Sequence, residues 1–268
     1  MENTQVEQTV LLTKEDGVGV ITLNRPHLFN AFNTQLNVDL LKAFKDVAKD
    51  PEVRAVVLTG AGKAFCSGQD LSDPAAIQVQ GDSPSLGDSV RKRYNPLILA
   101  MTEMEKPIIA AVNGAAAGAG CSLALACDMR FVSDRAKFVE AFVRIGLAPD
   151  SGSSWFLPQL VGVGRAMELA MTGRDVGAEE AVQIGLANQL VPHDRLLEET
   201  LAFAKRLAQG PTRAIGLTKR AIYKAMDTDI AGALEYEAQV QEIAGKSKDF
   251  LEGIASFVEK RPPQYRGE

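Results

Sequence analysis

Two rhythms of apolar residues divide the chain. Short runs rich in Val, Ile and Ala alternate with stretches whose apolar positions recur every three or four residues. The first is the signature of a buried strand, the second of a helix with one buried face. "GVGVITLNRP" (Gly17 to Pro26) is a β-rich run closed by a proline. "NTQLNVDLLKAFKDVAKD" opens on polar cap types and carries Leu36, Leu40, Phe44 and Val47 at helical spacing. "VRAVVLTG" predicts a buried strand ending at Gly60, "DSVRKRYNPLILAMTEM" a helix bent at Pro96, and "KPIIAAVNG" another buried strand. "CSLALACD" predicts a buried helix; "MRFVSD" and "KFVEAFVRIG" predict further strands. Beyond "SSWFLPQLVG" the pattern turns mostly helical, through "GRAMELAMTG", "GAEEAVQIGL", "RLLEETLAFAKRLAQ" and the run from Pro211 to Lys246. The expected organisation is an α/β core over residues 1–200 and a helical region over residues 201–268. Strand-plus-helix units recur without an exact repeat or a low-complexity linker.

Composition narrows this picture. A chain of 268 residues with 46% hydrophobic content suits one large domain, or one domain with an appendage. Aromatics are only 6%, so aliphatic residues must fill most of the core. A net charge of -5 leaves no global basic surface, which argues against nucleic acid as a partner. An anionic ligand would have to meet backbone N–H groups or local cations such as Arg91 to Arg93 and the cluster Glu259 to Arg261, runs that otherwise read as solvated charge. Three cysteines, Cys66, Cys121 and Cys127, form neither a disulfide framework nor a zinc site, and suit a reducing cytoplasm. The polar, acidic "MENTQVEQTV" does not read as a signal peptide. "PIIAAVNGAAAGAGCSLALAC" is apolar, but Asn113, Gly114, Gly118, Gly120 and Ser122 break it into strand, loop and helix, so no membrane span is expected.

Several familiar motifs fail on inspection. "TGAGKAF" carries Gly-Lys after a strand, but Val57 stands where a phosphate-binding loop needs glycine and Ala64 where it needs Ser or Thr. "GAAAGAG" has its glycines in the order G-x-x-x-G-x-G, not that of a dinucleotide site. No G-x-S-x-G elbow is present. His27 and His193, both in loop-like settings, are too little material for a Ser/His or metal centre and read as surface residues.

What remains is a pair of glycine-bearing turns at strand ends, "FCSGQDL" (Phe65 to Leu71) and "NGAAAGAGCS" (Asn113 to Ser122). Glycine permits close backbone approach, and the second turn opens a helix whose first N–H groups are free. Two N–H groups aimed at one point make an oxyanion hole, where one donor contributes ~3 kcal/mol to the transition state. A third stretch, "IGLAPDSGSSWFLP" (Ile145 to Pro158), isolates Asp150 between apolar flanks. From this stretch alone Asp150 or Ser151 reads first as a helix N-cap, and Asp150 second as a candidate base.

Five collinear segments carry a resemblance over almost the whole chain: "LNRPHLFNAFN", "VVLTGAGKAFCSGQDL", "KPIIAAVNGAAAGAGCSLALACDMRFVSD", "FVRIGLAPDSGSSWFLPQLVG" and "FVEKRPPQY". They are similar to the crotonase, or enoyl-CoA hydratase/isomerase, superfamily. The resemblance implies a spiral of ββα units, with C-terminal helices that drive assembly into a homotrimer or a dimer of trimers. It implies an acyl-CoA thioester substrate and no resident cofactor or metal, coenzyme A being part of the substrate. It places the thioester oxygen on the N–H groups of Gln69 and Ala119, with Ser67, Gly68, Asp70, Leu71, Gly118, Gly120 and Lys260 as further substrate-binding residues. The hydratases' two glutamates fall on Ser122 and Phe142, neither a carboxylate. Glu140, two residues before Phe142 and expected on the same strand face, reads as a surface or salt-bridge residue, or as a substitute base. Asp150 falls where some isomerases of the superfamily carry an acid. "GL-x-PD-x-G-x-x-W-x-LP" and the "KR-x-PQ" ending are shared with isomerases acting on a ring epoxide. The implied activity is therefore isomerisation through an enolate: ring epoxide to oxepin, 3-enoyl- to 2-enoyl-CoA, or both, with Asp150 as the proton shuttle. Alternatives are a hydratase of the same family and a non-catalytic CoA-binding subunit. Residues 72–104 are expected to line the acyl pocket.

Overall fold

A computed structural model describes residues 8–73 and 85–268. It opens on an antiparallel hairpin of β1 (Val10–Glu15) and β2 (Val18–Leu23). Helix α1 (Thr34–Lys49) follows, its first turn capped by Asn33, whose side chain accepts the Leu36 N–H at 2.8 Å. Next come β3 (Ala55–Gly60) and the short β4 (Ala64–Cys66). Helix α2 (Leu86–Ser89) runs through a π-helical stretch, Val90–Tyr94, into α3 (Asn95–Glu103). The expected bend at Pro96 is realised as this π turn. Pro96 has no N–H to donate, and the Asn95 N–H reaches back to the Val90 carbonyl instead.

Two further ββα units repeat the scheme: β5 (Ile108–Val112), β6 (Ala115–Ala117) and α4 (Ala119–Leu125), then β7 (Met129–Ser133), β8 (Lys137–Val139) and α5 (Ser153–Val161). The chain continues through α6 (Val163–Thr172), β9 (Asp175–Gly177), α7 (Ala178–Gln183) and β10 (Gln189–Val191). Each unit advances by one strand in two sheets at once. The six-stranded sheet runs β1-β2-β3-β5-β7-β10, and the four-stranded sheet runs β4-β6-β8-β9. The pairs β3–β5, β5–β7, β4–β6 and β6–β8 are all parallel. This is the expected spiral.

Every residue of β3 and β5 is buried, as befits parallel strands covered on both faces. Alternate residues serve different cores. Val56, Leu58, Ile108 and Ala110 join Phe32, Leu36, Leu40 and Phe44 in the main one, where each fully buried large side chain contributes ~1.5–3 kcal/mol. Val57, Ala55, Ile109 and Ala111 face a second cluster closed by α8 (Leu196–Ala208), through Leu196, Ala204 and Ala208. The division expected at residue 200 thus falls inside a helix that packs on the sheet. Helices α9 (Thr212–Ala225), α10 (Ile230–Ala244) and α11 (Lys248–Glu259) complete the chain and leave Ile230, Leu234, Leu251, Phe257 and Val258 exposed. No helix among the described residues is long and apolar enough to cross a membrane.

One strand is shorter than its sequence predicts. "KFVEAFVRIG" is extended only to Val139; Ala141–Ile145 form a 3-10 turn closed by Gly146 in the left-handed region. The reason is the partner strand. β6 ends at Ala117, and the Gly118 N–H to Val139 carbonyl bond, 2.9 Å, is the last rung available. Glu140 and Phe142 therefore do not share a strand face.

Candidate active site

The first turn is held by the loop that precedes α1. Ser67 N–H donates to the Phe29 carbonyl at 3.0 Å, and Phe32 N–H to the Gly68 carbonyl at 2.7 Å. Asp70 N–H returns to the Phe32 carbonyl at 2.8 Å. In this parallel bridge residues 68 and 70 face Phe32, so the Gln69 N–H between them points to the opposite side. That side is where the second turn lies. Gly68 has φ +96, and a Cβ there would stand 2.8 Å from the Ala117 carbonyl oxygen and 3.6 Å from the Ala119 nitrogen. Ala119 is the first helical residue of α4, so its N–H has no acceptor within the helix. The far end of α4 is fixed by buried Arg130, whose guanidinium donates to the Cys127 carbonyl at 2.6 Å and the Leu186 carbonyl at 2.7 Å.

These turns open into a cavity of about 480 Å³. Ser67, Gly68, Gln69, Leu71, Gly118, Ala119 and Asp150 line it together. Its apolar wall includes Val90, Phe142, Ile145 and Leu147. Within the expected acyl-pocket segment, residues 74–84 lie outside the described residues, while Leu86, Gly87, Ser89, Val90 and Tyr94 do line the cavity. Three expected binding residues stand elsewhere. Asp70 is taken up by an ion pair with Arg25 at 3.1 Å and by the Ser72 hydroxyl at 2.6 Å. Gly120 is a packing glycine, where a Cβ would fall 2.2 Å from the Cys66 carbonyl oxygen. Lys260 caps the C-terminus of α11, exposed and left-handed.

Asp150 does not cap a helix. The N-cap of α5 is Gly152, and neither Asp150 nor Ser151 supplies a side-chain cap. Ser151 at φ 53 and Gly152 at φ 84 are consecutive left-handed residues that turn the chain before α5 begins. The Asp150 backbone carbonyl accepts from Ser153 N–H at 3.0 Å and from the Ser122 hydroxyl at 3.1 Å. Its carboxylate accepts only the Ser151 hydroxyl, at 2.7 Å, among the described residues. Burial pushes its pKa above the usual aspartate value, and the Ser151 hydrogen bond opposes that shift.

Glu140 overturns its reading as a surface or salt-bridge residue. It is 3% exposed and lies in a second, apolar pocket of about 380 Å³, with Leu157, Val163 and Met167 among its walls, not in the cavity. The Ser153 hydroxyl and Glu140 Oε1 are 2.6 Å apart, while Oε2 has no partner among the described residues. Desolvation raises its pKa above the ordinary carboxyl value. Burial thus disfavours its ionised form, and the Ser153 hydrogen bond opposes that shift. Its burial follows from the short β8, which leaves Glu140 at the start of the 3-10 turn, between α4 and α5.

Ser122, fully buried, and Phe142, on the cavity wall, put no carboxylate at their positions. His27 is exposed and His193 partly buried; neither lines the cavity. No cluster of metal-ligating side chains occurs among the described residues. Tyr94 falls within the segment expected to line the acyl pocket, but its tie to Gln69 was not foreseen. It lies in the π turn, lines the cavity and donates its hydroxyl to Gln69 Oε1. The one sequence hint to that tie is an aromatic residue two positions before the helix-interrupting Pro96.

Fold and cavity together define an α/β spiral of ββα units with two backbone donors and one carboxylate around an apolar pocket. The sequence profile of the enoyl-CoA hydratase/isomerase family matches residues 13–268, and the chain belongs to that family. It is similar to the 1,2-epoxyphenylacetyl-CoA isomerase of Escherichia coli K12, 42% identical over 259 residues, which cover 97% of this chain and 98% of the relative. A "Probable enoyl-CoA hydratase" of Rhodobacter capsulatus is also 42% identical over 259 residues, with the same coverage of 97% and 98%. The crystal structure of an enoyl-CoA hydratase from Bacillus anthracis superposes with a TM-score of 0.89 at 34% identity, covering 97% of this chain and 100% of that one.

Proposed function

We propose that the protein is an acyl-CoA isomerase working through a thioester enolate. The thioester oxygen sits against the N–H groups of Gln69 and Ala119. The Asp150 carboxylate takes a proton from the carbon beside the thioester, and the electron pair moves onto the oxygen held by the two donors. Asp150 then returns the proton to the far carbon of the allylic system, which converts a 3-enoyl- to a 2-enoyl-CoA. With a ring-epoxide substrate the same carboxylate shuttles the proton while the epoxide opens and the ring expands to an oxepin. The step is redox-neutral and needs no cofactor beyond the coenzyme A of the substrate. Positioned acid–base catalysis of this kind contributes ~10²–10⁴-fold in rate.

The observation that carries this reading is Asp150 itself. Asp150 lines the cavity together with Gln69 and Ala119, and its carboxylate is tied only to the Ser151 hydroxyl among the described residues. No other carboxylate lines that cavity among the described residues. One carboxylate that both accepts and donates suffices for a proton shift, whereas addition of water by an acid–base pair needs two. Assembly as a trimer or dimer of trimers belongs to the same reading, supported by the apolar residues that α10 and α11 leave exposed on the single chain.

The test is a panel of 3-enoyl-CoA, crotonyl-CoA and epoxyphenylacetyl-CoA with the native protein and Asp150→Asn. We expect turnover of the first or third, little hydration of crotonyl-CoA, and an Asp150→Asn variant that binds acyl-CoA without turning it over. Retained turnover in that variant refutes the role of Asp150, and rapid crotonyl-CoA hydration favours the hydratase reading.

A further inference from the structure

Gln69 uses its side chain as well as its backbone. The amide nitrogen donates to the Phe32 carbonyl at 2.8 Å and to the Asp70 carbonyl at 3.2 Å. Carbonyl oxygens cannot donate, so this fixes the nitrogen on that side and leaves Oε1 facing Tyr94. Oε1 cannot donate either, so the shared proton belongs to the Tyr94 hydroxyl. The ring of Tyr94 meets Phe32 edge to face, with centroids 5.5 Å apart and planes at 74°. Tyr94 therefore grips both partners of the bridge that orients the first turn, Gln69 through its hydroxyl and Phe32 through its ring. Tyr94 is 5% exposed and stands on the π turn created beside Pro96. Burial holds its pKa above the usual phenol value, and Asn37 of α1, Asp150, Cys66 and Arg93 are among the groups that act on it. The phenol keeps its proton, and hence its hydrogen bond, across the working pH range.

We infer that Tyr94 is a positioning residue for the oxyanion site, holding the Gln69 N–H in line through the Gln69 side chain. This rests on the proposed function, because it presumes that the Gln69 N–H receives the substrate oxygen. A donor that meets charge developing only in the transition state affects kcat rather than KM. Tyr94→Phe keeps the ring on Phe32 and removes only the hydroxyl. One net hydrogen bond corresponds to roughly five- to tenfold in rate, which is the expected fall in kcat, with KM within about twofold.

A double-mutant cycle with Gln69→Leu isolates the route. If Tyr94 acts through the Gln69 amide, Gln69→Leu alone costs a similar factor, and adding Tyr94→Phe to it costs nothing further. A full additional loss in the double variant means that the hydroxyl acts on substrate directly and overturns the inference. So does a Tyr94→Phe enzyme with unchanged kcat. Should Tyr94→Phe fail to fold, Gln69→Leu decides alone, and unchanged kcat in that variant is fatal. The readout is separate from that of Asp150→Asn. An inactive Asp150→Asn beside a fully active Tyr94→Phe removes only this inference, whereas an active Asp150→Asn removes the proposed function.

Discussion

A methyl group at position 68 has nowhere to go. In Gly68→Ala the new Cβ would stand 2.8 Å from the Ala117 carbonyl oxygen, where ordinary contact begins at 3.4 Å, so the two turns must part by about 0.6 Å. Both neighbours are backbone, which cannot rotate away as a side chain would. The φ of +96 adds strain of ~1–3 kcal/mol for a residue with a Cβ, a cost that appears as lost stability. The catalytic consequence is separate. A misplacement of ~1 Å costs on the order of 10²-fold, and complete loss of one oxyanion donor about 10²–10³-fold. A displacement of about 0.6 Å should therefore lower kcat by roughly 10- to 100-fold. Gly162→Ala is the control. It too has a left-handed φ, +79, but nothing lies within 4 Å of its Cβ, so it should lose stability and keep kcat. Steady-state kinetics with the preferred acyl-CoA, alongside thermal melts of both variants, separate the two effects. A Gly68→Ala enzyme with kcat within twofold of native would refute the placement of the oxygen between these turns.

The raised pKa of Asp150 sets a pH limb. A base must be ionised, so kcat/KM should fall as pH drops through a value above the ordinary ~3.9 of aspartate. Ser151→Ala removes the hydrogen bond that favours the carboxylate and should move this limb to still higher pH; a limb that stays put contradicts the assignment. Glu140 binds its proton more tightly folded than unfolded, so the stability it contributes is complete below the ordinary carboxyl value and declines as pH rises toward its raised native one. Urea melts of Glu140→Gln between pH 5 and pH 8 should show a shallower decline than native; parallel curves would mean that Glu140 is already ionised in the fold. All three cysteines are buried, and burial pushes the Cys66 and Cys127 thiols up to about 12. A disulfide exchange reagent at pH 8 should therefore find no fast-reacting thiol until denaturant is added, and rapid labelling of the native protein would contradict this burial.

Much of the architecture could be read from apolar rhythm because β3 and β5 are fully buried runs with several β-branched residues, and α1 carries its apolar stripe at regular spacing. The short strands were invisible for a physical reason. β6 is "AAA" and β4 is "AFC", segments with neither the length nor the alternation to mark a strand, and they exist because neighbouring turns of the spiral supply the ladder. The same dependence cut β8 at Val139 and buried Glu140 where a surface acid was expected. Of the proposed site, the glycine turns and Asp150 stood out in the sequence because their signals are local. The sequence could not show that Asp70 is tied to Arg25, 45 residues away, or that Tyr94 reaches Gln69 across 25. Those pairings are made by tertiary packing alone.

Cys66 and Ala116 are registered partners on neighbouring parallel strands, and Gln69 and Ala119 each stand three positions beyond that pair. The two turns that carry these residues are thus set side by side by neighbouring strands, which lie ~4.8 Å apart, and not by any side chain. Such a site works like a ruler cut into the backbone. No substitution at residue 69 or 119 can delete a donor unless it brings in proline or shifts the chain. What can change freely is the carboxylate, because the third winding delivers it on a separate loop. Under the proposed function, the backbone turns hold the carbonyl while the acid stands on a loop of its own, so the two can vary independently.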